Sequence, residues 1–71
     1  MAGSVYKVIE LVGTSANSWE EAARAAIDRA SKSLRDLRVA EISQLDMQLD
    51  DGNIVAYRAK VKVSFKYEGG D

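Results

Sequence analysis

The sequence predicts an α+β fold in which one helix packs on a three-stranded antiparallel sheet, with the elements in the order β-α-β-β. Three observations predict it. Alternating apolar residues between positions 39 and 67 indicate two long strands, because successive side chains in a strand point to opposite faces. Asp51-Gly52 divides this stretch and is typical of a two-residue hairpin turn. A capping signal at Ser18 precedes apolar residues spaced by three and four, which indicates a helix. At 71 residues, positions 1–71 form a single small domain.

The first element is a strand over residues 5–12, where the sequence VYKVIELV is rich in β-branched residues. Apolar side chains occur on both of its faces, so we expect this strand to be covered on both sides. Residues 1–4 form a loose start, and the composition of residues 13–18 (GTSANS) predicts a loop.

The helix begins after Ser18. Ser18-Trp19-Glu20-Glu21 matches a capping box, in which the Ser18 hydroxyl accepts from the Glu21 amide and the Glu21 carboxylate reaches back. We expect Trp19, in the first turn, to be a packing residue, and the helix to end between Leu34 and Leu37. Its apolar stripe is mostly alanine, which permits close approach to a sheet but buries little area. The stripe comprises Trp19, Ala22, Ala23, Ala26, Ile27, Ala30, Leu34 and Leu37.

The second strand, residues 39–50, pairs with a third that runs to Tyr67, and residues 69–71 form a frayed tail. A two-residue turn at Asp51-Gly52 gives partners whose residue numbers sum to 103. A β-bulge would shift the pairs that lie beyond it. The predicted pairs include Ala40–Val63, Ile42–Val61, Gln44–Ala59, Asp46–Tyr57, Leu45–Arg58, Met47–Ala56 and Leu49–Ile54.

The face of the sheet that the helix leaves uncovered is therefore expected to carry an apolar cluster, formed by Leu45, Met47, Leu49 and Ile54. Such a cluster is too large for a small monomer to leave in water. The hairpin also extends past the short helix and has no internal cover there. The sequence thus predicts a homo-oligomer in which neighbouring copies cover this ribbon.

Composition excludes several classes of function. The chain has no Cys and no His, so disulfides and thiolate or imidazole metal sites are excluded. A net charge of −1 gives no electrostatic case for nucleic acid. The longest apolar run is too short for a bilayer, and no signal pattern is present, so neither membrane nor export is expected and a cytoplasmic protein is the default. The carboxylates are scattered and there is no nucleophile motif, so we expect no enzyme.

Four stretches together resemble the dodecin family: VYKVIELVGTS at residues 5–15, the capped Ser-x-x-Glu start of the helix, ASKSLRDLR at 30–38 and KVKVSFKYE at 60–68. The resemblance covers nearly the whole chain. It implies that the sheet wraps the helix and that twelve copies form a hollow sphere of 23 symmetry. In the typical member this shell binds flavins in pairs on its two-fold axes, for storage or quenching.

Three positions depart from the flavin-binding pattern. Val39 stands where the resemblance would place a Trp that stacks on the isoalloxazine ring, Arg58 stands for a glutamine at the ring edge, and Asp46 stands for a basic residue. The sequence is more similar to the calcium dodecins, which share RVA at 38–40, the Asp46-Met47 pair and SFK at 64–66. This similarity implies a calcium-binding shell without stacked flavin. The candidate cofactor-binding residues are Val39, Gln44 and Arg58.

The candidate metal ligands are Asp46 and Asp50, because hard cations such as Ca²⁺ prefer oxygen ligands. Asp50 and Asp51 are also favoured simply as turn residues. Asp46 lies within a strand, where Asp is depleted, and is either a ligand or part of an ion pair between subunits. One chain offers too few oxygens for Ca²⁺, so neighbouring copies and water would have to contribute.

Three functions follow in order. The first is a homododecameric binding and storage shell that takes calcium, the second a shell that holds FMN or riboflavin weakly through Arg58, and the third a structural shell with no ligand. The basic row Arg58, Lys60, Lys62 and Lys66 is either a solvated face or a lining that attracts phosphate-bearing ligands.

Overall fold

The computed structural model describes residues 3–66 and confirms the predicted order and fold class. Residues 1–2 and 67–71 lie outside the described range, so the predictions for the first two positions, Tyr67 and the tail are not addressed. The sheet is antiparallel with the strand order β1-β3-β2, so β3 is central and β1 and β2 are its edges. The elements are β1 (Tyr6–Ser15), α1 (Trp19–Ser33), β2 (Leu37–Asp50) and β3 (Asn53–Lys66).

Strand β1 begins one residue later than predicted, at Tyr6. It ends three residues later than predicted, because residues 13–15 continue to pair with β3. The prediction of a loop from residue 13 onward was wrong because Gly13 has another role. A Cβ at this position would overlap the carbonyl oxygen of Ala22 and lie 3.1 Å from the Cβ of Ala26. The glycine therefore serves the close approach of helix and strand rather than a turn.

The start of α1 agrees with the capping signal in one of its two parts. The Ser18 hydroxyl accepts from the Glu21 amide at 3.0 Å, as predicted. The Glu21 carboxylate does not reach back to the Ser18 amide. It accepts instead from the Ser15 hydroxyl at 2.7 Å and from the Asn17 side-chain amide at 2.9 Å, because the end of β1 and the following loop hold these donors beside it.

Helix α1 ends at Ser33 and is capped by Leu34, whose amide donates to the Ala30 carbonyl at 2.9 Å, so the predicted end is correct to within one residue at its Leu34 limit. Leu37, predicted as part of the helix stripe, lies in β2 instead. Asp36 then adopts a left-handed backbone with φ of 57°, a conformation that Asp tolerates better than most residues. This turn lets β2 begin at Leu37, two residues before the predicted start.

The core between α1 and the sheet is small. Alanine on the helix and short aliphatic residues on β3 leave little distance between the two layers. The buried hydrophobic residues are Ala22, Ala26, Ala30, Ala59, Val61 and Val63. Because these residues bury little area, the described part of one chain leaves large apolar side chains on its surface.

The hairpin turn is confirmed, but the register predicted around it is correct only at its ends. Asp51 and Gly52 have φ of 54° and 81°, as a type I′ turn requires. The pairs Leu49–Ile54, Ile42–Val61 and Ala40–Val63 form as predicted. Between Ile42 and Gln44 one extra residue, Ser43, enters β2, and a compensating irregularity lies between Gln48 and Leu49.

The five residues 44–48 are consequently offset by one, which was not predicted. Gln44 lies opposite Lys60 and not Ala59, and Asp46 lies opposite Arg58 and not Tyr57. A shift of one residue moves every side chain to the other face of a sheet. Leu45 and Met47 therefore share the face of Ala59 and Tyr57, on which α1 packs; we call it the helix face, and the opposite one the outer face.

The apolar cluster was thus assigned to the wrong face, although its exposure was predicted correctly. Leu45 is 48% and Leu49 60% exposed, because β2 runs along the edge of the sheet and beyond the helix. Past the last β1 pair, Ser15–Tyr57, the hairpin continues as two strands; we call residues 48–56 the hairpin arm. It gives the molecule extents of 56 × 20 × 17 Å. Within residues 3–66, no helix has the length and apolar character needed to span a membrane.

Candidate ligand site on the outer face of the sheet

Asp46 and Arg58 form a bidentate ion pair across β2 and β3. Nε of Arg58 lies 2.7 Å from Oδ1 of Asp46, and Nη2 lies 2.9 Å from Oδ2. This geometry exists because the extra residue at Ser43 brings the two side chains opposite each other on the outer face. The hydrogen bonds from the guanidinium lower the pKa of Asp46, and the carboxylate in turn raises the pKa of Arg58. Asp46 is therefore ionised and already neutralised within its own chain.

This pair changes the interpretation of Asp46. The alternative to a ligand was an ion pair between subunits, whereas the structure forms the pair inside one chain. Two of the three positions that depart from the flavin-binding pattern, Asp46 and Arg58, are thus physical partners. Sequence reasoning missed the contact because it used an unbulged register.

Trp19 holds the backbone of Asp46 from the other side. Its indole N–H donates to the Asp46 carbonyl at 2.9 Å. Its ring meets Tyr57 edge to face, with centroids 5.1 Å apart and planes at 73°. The packing role expected for Trp19 is therefore observed, and the hydrogen bond to β2 is a further contact. In the sequence, the position of Trp19 in the first turn of α1 was the only indication of these contacts.

Gln44 and Val39 also lie on the outer face, at increasing distance from the turn. Gln44 is opposite Lys60, one pair along the same face from Asp46 and Arg58. Val39 is opposite Ser64 and is 62% exposed. Since Ser64 is six residues from Arg58, Val39 lies roughly 20 Å from the ion pair along the sheet. The structure therefore groups Gln44 with Arg58 and places Val39 apart from them in one chain.

Val39 also borders a shallow, mainly apolar cavity of about 200 Å³ between the end of α1 and the start of β2. The Ser64 hydroxyl donates to the Val39 carbonyl at 3.4 Å across the two strands. Neither contact supplies an aromatic surface. The cavity is lined by Ile27, Leu37, Arg38, Val39, Ala40 and Val63.

The candidate metal ligands Asp46 and Asp50 are not brought together in one chain. Both face outward, but Asp50 pairs with Asn53 beside the turn, four residues from Asp46 and thus roughly 13 Å away along the strand. Ligands of a single Ca²⁺ lie 2.3–2.6 Å from it, so their oxygens are roughly 5 Å apart at most. Between residues 3 and 66 no group of three His, Cys, Asp or Glu can hold a metal ion.

The basic row lies on the outer face as predicted, and acidic residues of the edge strands accompany it. Lys62 lies between Glu10 of β1 and Glu41 of β2. Arg58 lies between Thr14 and Asp46. The outer face therefore alternates in charge across the strands and is not a uniformly positive surface.

Comparison with known proteins identifies the fold and its relatives. Calcium dodecin of Mycobacterium tuberculosis is 51% identical over 63 residues, which are 89% of either chain. The structure of dodecin from Streptomyces coelicolor superposes with a TM-score of 0.89 at 36% identity, covering 99% of this chain and 100% of that one. The structure of the calcium-chelating antigen calcium dodecin from M. tuberculosis, with a novel calcium-binding site, gives 0.83 at 47% identity over 96% and 97%. Residues 5–68 match the family model described as Dodecin, and the chain therefore belongs to the dodecin family.

Proposed function

We propose that this chain is the subunit of a non-enzymatic, homododecameric shell that binds Ca²⁺ and does not hold flavin by stacking. The observation that carries the proposal is the Asp46–Arg58 ion pair. Arg58 directs its guanidinium to a carboxylate of its own chain and leaves less of it for an anionic or flavin ligand. Asp46 adds an ionised oxygen donor to a face that otherwise presents Lys60 and Lys62.

Asp46 retains acceptor capacity for a cation. A carboxylate offers about four lone-pair sites, and the two hydrogen bonds from Arg58 use two of them. Ca²⁺ takes six to eight oxygens, so the remaining ligands come from Asp50 or Asp46 of a neighbouring copy and from water. The similarity to calcium dodecin supports Ca²⁺ as the ion. The positive charge of Arg58 opposes the ion, so binding loosens the ion pair.

The absence of an aromatic residue at position 39 supports the second half of the proposal. An aromatic side chain stacked on a planar ring contributes roughly 1–3 kcal/mol. Val39 cannot supply this contact, and Val8, its neighbour on the far side of Ser64, cannot either. Flavin retained through Arg58 and apolar contacts is the alternative function, and it predicts binding that does not depend on stacking.

Calorimetric titration with Ca²⁺ tests the proposal. We expect Asp46→Asn to weaken binding at least tenfold and Arg58→Gln to strengthen it about thirtyfold, since a unit charge about 4 Å from a doubly charged ion contributes about 2 kcal/mol in water. Asp50→Asn separates the second candidate ligand from the first. Asp28→Asn on the exposed face of α1 is the matched control and should bind as the native chain does.

Identical titrations of the native chain and Asp46→Asn would remove Asp46 from the site, and the absence of any binding heat would contradict the calcium function. Riboflavin fluorescence addresses the alternative in the same preparations. We expect no quenching at micromolar protein. If micromolar protein quenches riboflavin fluorescence, or if the purified protein is yellow, the claim that this chain does not stack flavin is wrong.

A further inference from the structure

We infer that Trp19 is a positioning residue for the Asp46 site: by holding the Asp46 carbonyl, it selects the strand register that turns the Asp46 carboxylate outward. The inference rests on the proposed calcium function and extends it to a residue on the helix face. Trp19 itself touches no ligand in this scheme and acts through the backbone of β2.

The need for such a residue follows from the irregular pairing of β2. Residues 44–48 are offset by one relative to the pairs on either side, with one shift between Ile42 and Gln44 and another between Gln48 and Leu49. Asp46 is the middle residue of this segment. Without the offset, Asp46 would face Tyr57 on the helix face and Leu45 would face Arg58. The two arrangements differ only in a shift by one position of the five residues 44–48.

Pairing with β3 alone specifies this register weakly, because β2 is an edge strand and the segment is mostly exposed. In β2, only Leu37 and Asp46 are half-buried, and the other residues of the strand are exposed. Carbonyls that point away from β3 have no partner strand at the edge. The Trp19 indole N–H satisfies one such carbonyl, that of Asp46, at 2.9 Å. In the unshifted register the indole would meet a different carbonyl or none.

Trp19 is itself fixed by two elements, so it can act as a reference point. Ser18 caps α1 through the Glu21 amide, and its carbonyl accepts from Ala22 at 3.1 Å. The indole ring then packs edge to face on Tyr57 of the central strand. The helix start and β3 thus set the position of the indole, and the indole sets the position of Asp46.

Removal of the indole N–H is the direct test. Trp19→Phe keeps a ring against Tyr57 and removes the donor, and Tyr57→Phe is the matched control because it keeps both rings and the donor. We expect Trp19→Phe to weaken Ca²⁺ binding roughly three- to tenfold, as loss of one hydrogen bond does, and Tyr57→Phe to leave it unchanged. In an Asp46→Asn background the effect of Trp19→Phe should vanish, because both act on one site.

Hydrogen–deuterium exchange gives a readout that does not need calcium. In Trp19→Phe we expect faster amide exchange confined to residues 44–48, with β1 and the buried part of β3 unchanged. If exchange rises throughout the chain, the phenyl ring has failed to replace the indole in packing. A synthetic chain with β-(3-benzothienyl)alanine at position 19 then removes the N–H and keeps the shape, and the same local effect is expected.

The outcomes separate the two proposals. Faster exchange at 44–48 without any Ca²⁺ binding would contradict the calcium function and support the positioning role. Calcium binding with unchanged affinity and exchange in both position-19 variants would overturn the positioning role and leave the calcium function standing. A loss of affinity that persists in the Asp46→Asn background would also overturn it, since Trp19 would then act elsewhere.

Discussion

Asp46 is held by hydrogen bonds to both its side chain and its backbone. Its carboxylate receives two hydrogen bonds from Arg58 on the outer face, and its carbonyl receives one from Trp19 at the sheet edge. An aspartate is unfavourable in a strand, so this position needs a local reason. The ion pair supplies one, because the side chain is neutralised by the residue directly opposite.

A dependence of stability on pH follows from the ion pair. The pKa of Asp46 is lowered in the folded chain, chiefly by the hydrogen bonds from Arg58, and returns to about 3.9 on unfolding. A lowered pKa stabilises the fold above the unfolded pKa, and this stability is lost as the pH falls through the folded pKa. We expect Asp46→Asn to melt below the native chain at pH 7, and the gap to narrow as the pH falls below the unfolded value of about 3.9. Thermal denaturation across this pH range measures this, with Asp28→Asn as the control for loss of one exposed charge; a gap that does not narrow as the pH is lowered would contradict it.

The candidate site residues selected from the sequence differ in whether the structure brings them into contact. Arg58 and Asp46 are joined by direct contact, whereas Val39 and Asp50 lie apart from them in one chain. Their assignment as ligands stays a prediction. Pattern and resemblance identify unusual residues at a position, but they do not measure the distance between positions, and that distance depends here on one inserted residue.

At the scale of elements, the contact of α1 with β1 depends on Gly13. A side chain at this position meets the backbone of Ala22, which cannot move without disturbing the helix. We expect Gly13→Ala to lower the free energy of unfolding by about 1–3 kcal/mol or more, as overpacking of a close contact does. Urea denaturation measures the loss. Gly3→Ala, where an added Cβ meets no atom within 4 Å, is the control and should be neutral; equal stability of the two variants would show that the helix can retreat.

The elements themselves were largely predictable, and the register of one strand was not. Alternation, the capping serine and Asp51-Gly52 located the helix and the hairpin to within three residues. The bulge at Ser43 left one readable trace, because the apolar residues Ile42 and Leu45 are three apart where alternation requires two. The predicted register assumed that the residue numbers of all paired residues sum to 103, and so it contained no bulge at this point. The result was a reversal of faces over residues 44–48, which is the segment that carries the site.

On the scale of the whole molecule, one chain is too elongated to cover its own apolar surface. The six residues that make up its buried core are alanines and valines, while Leu49 and Ile54 at the hairpin arm are 60% and 50% exposed. No third strand accompanies this arm, because β1 ends at Ser15 opposite Tyr57. The arm is therefore the part of the described chain that gains most from a neighbouring copy.

Charge placed on the hairpin arm should prevent assembly without disturbing the fold of one chain. Leu49 lies far from the core formed by α1 and β3, so Leu49→Glu should leave that core intact. In a shell, the same carboxylate would be buried among apolar side chains of a neighbour, which is costly without a partner. We expect light scattering to give a mass near twelve times the 7.8 kDa of one chain for the native protein. Leu49→Glu should give a much smaller mass, whereas Leu49→Met, which keeps an apolar side chain of similar volume, should assemble normally. A native mass near 7.8 kDa would overturn the proposed shell, and full assembly of Leu49→Glu would place the arm outside the interface.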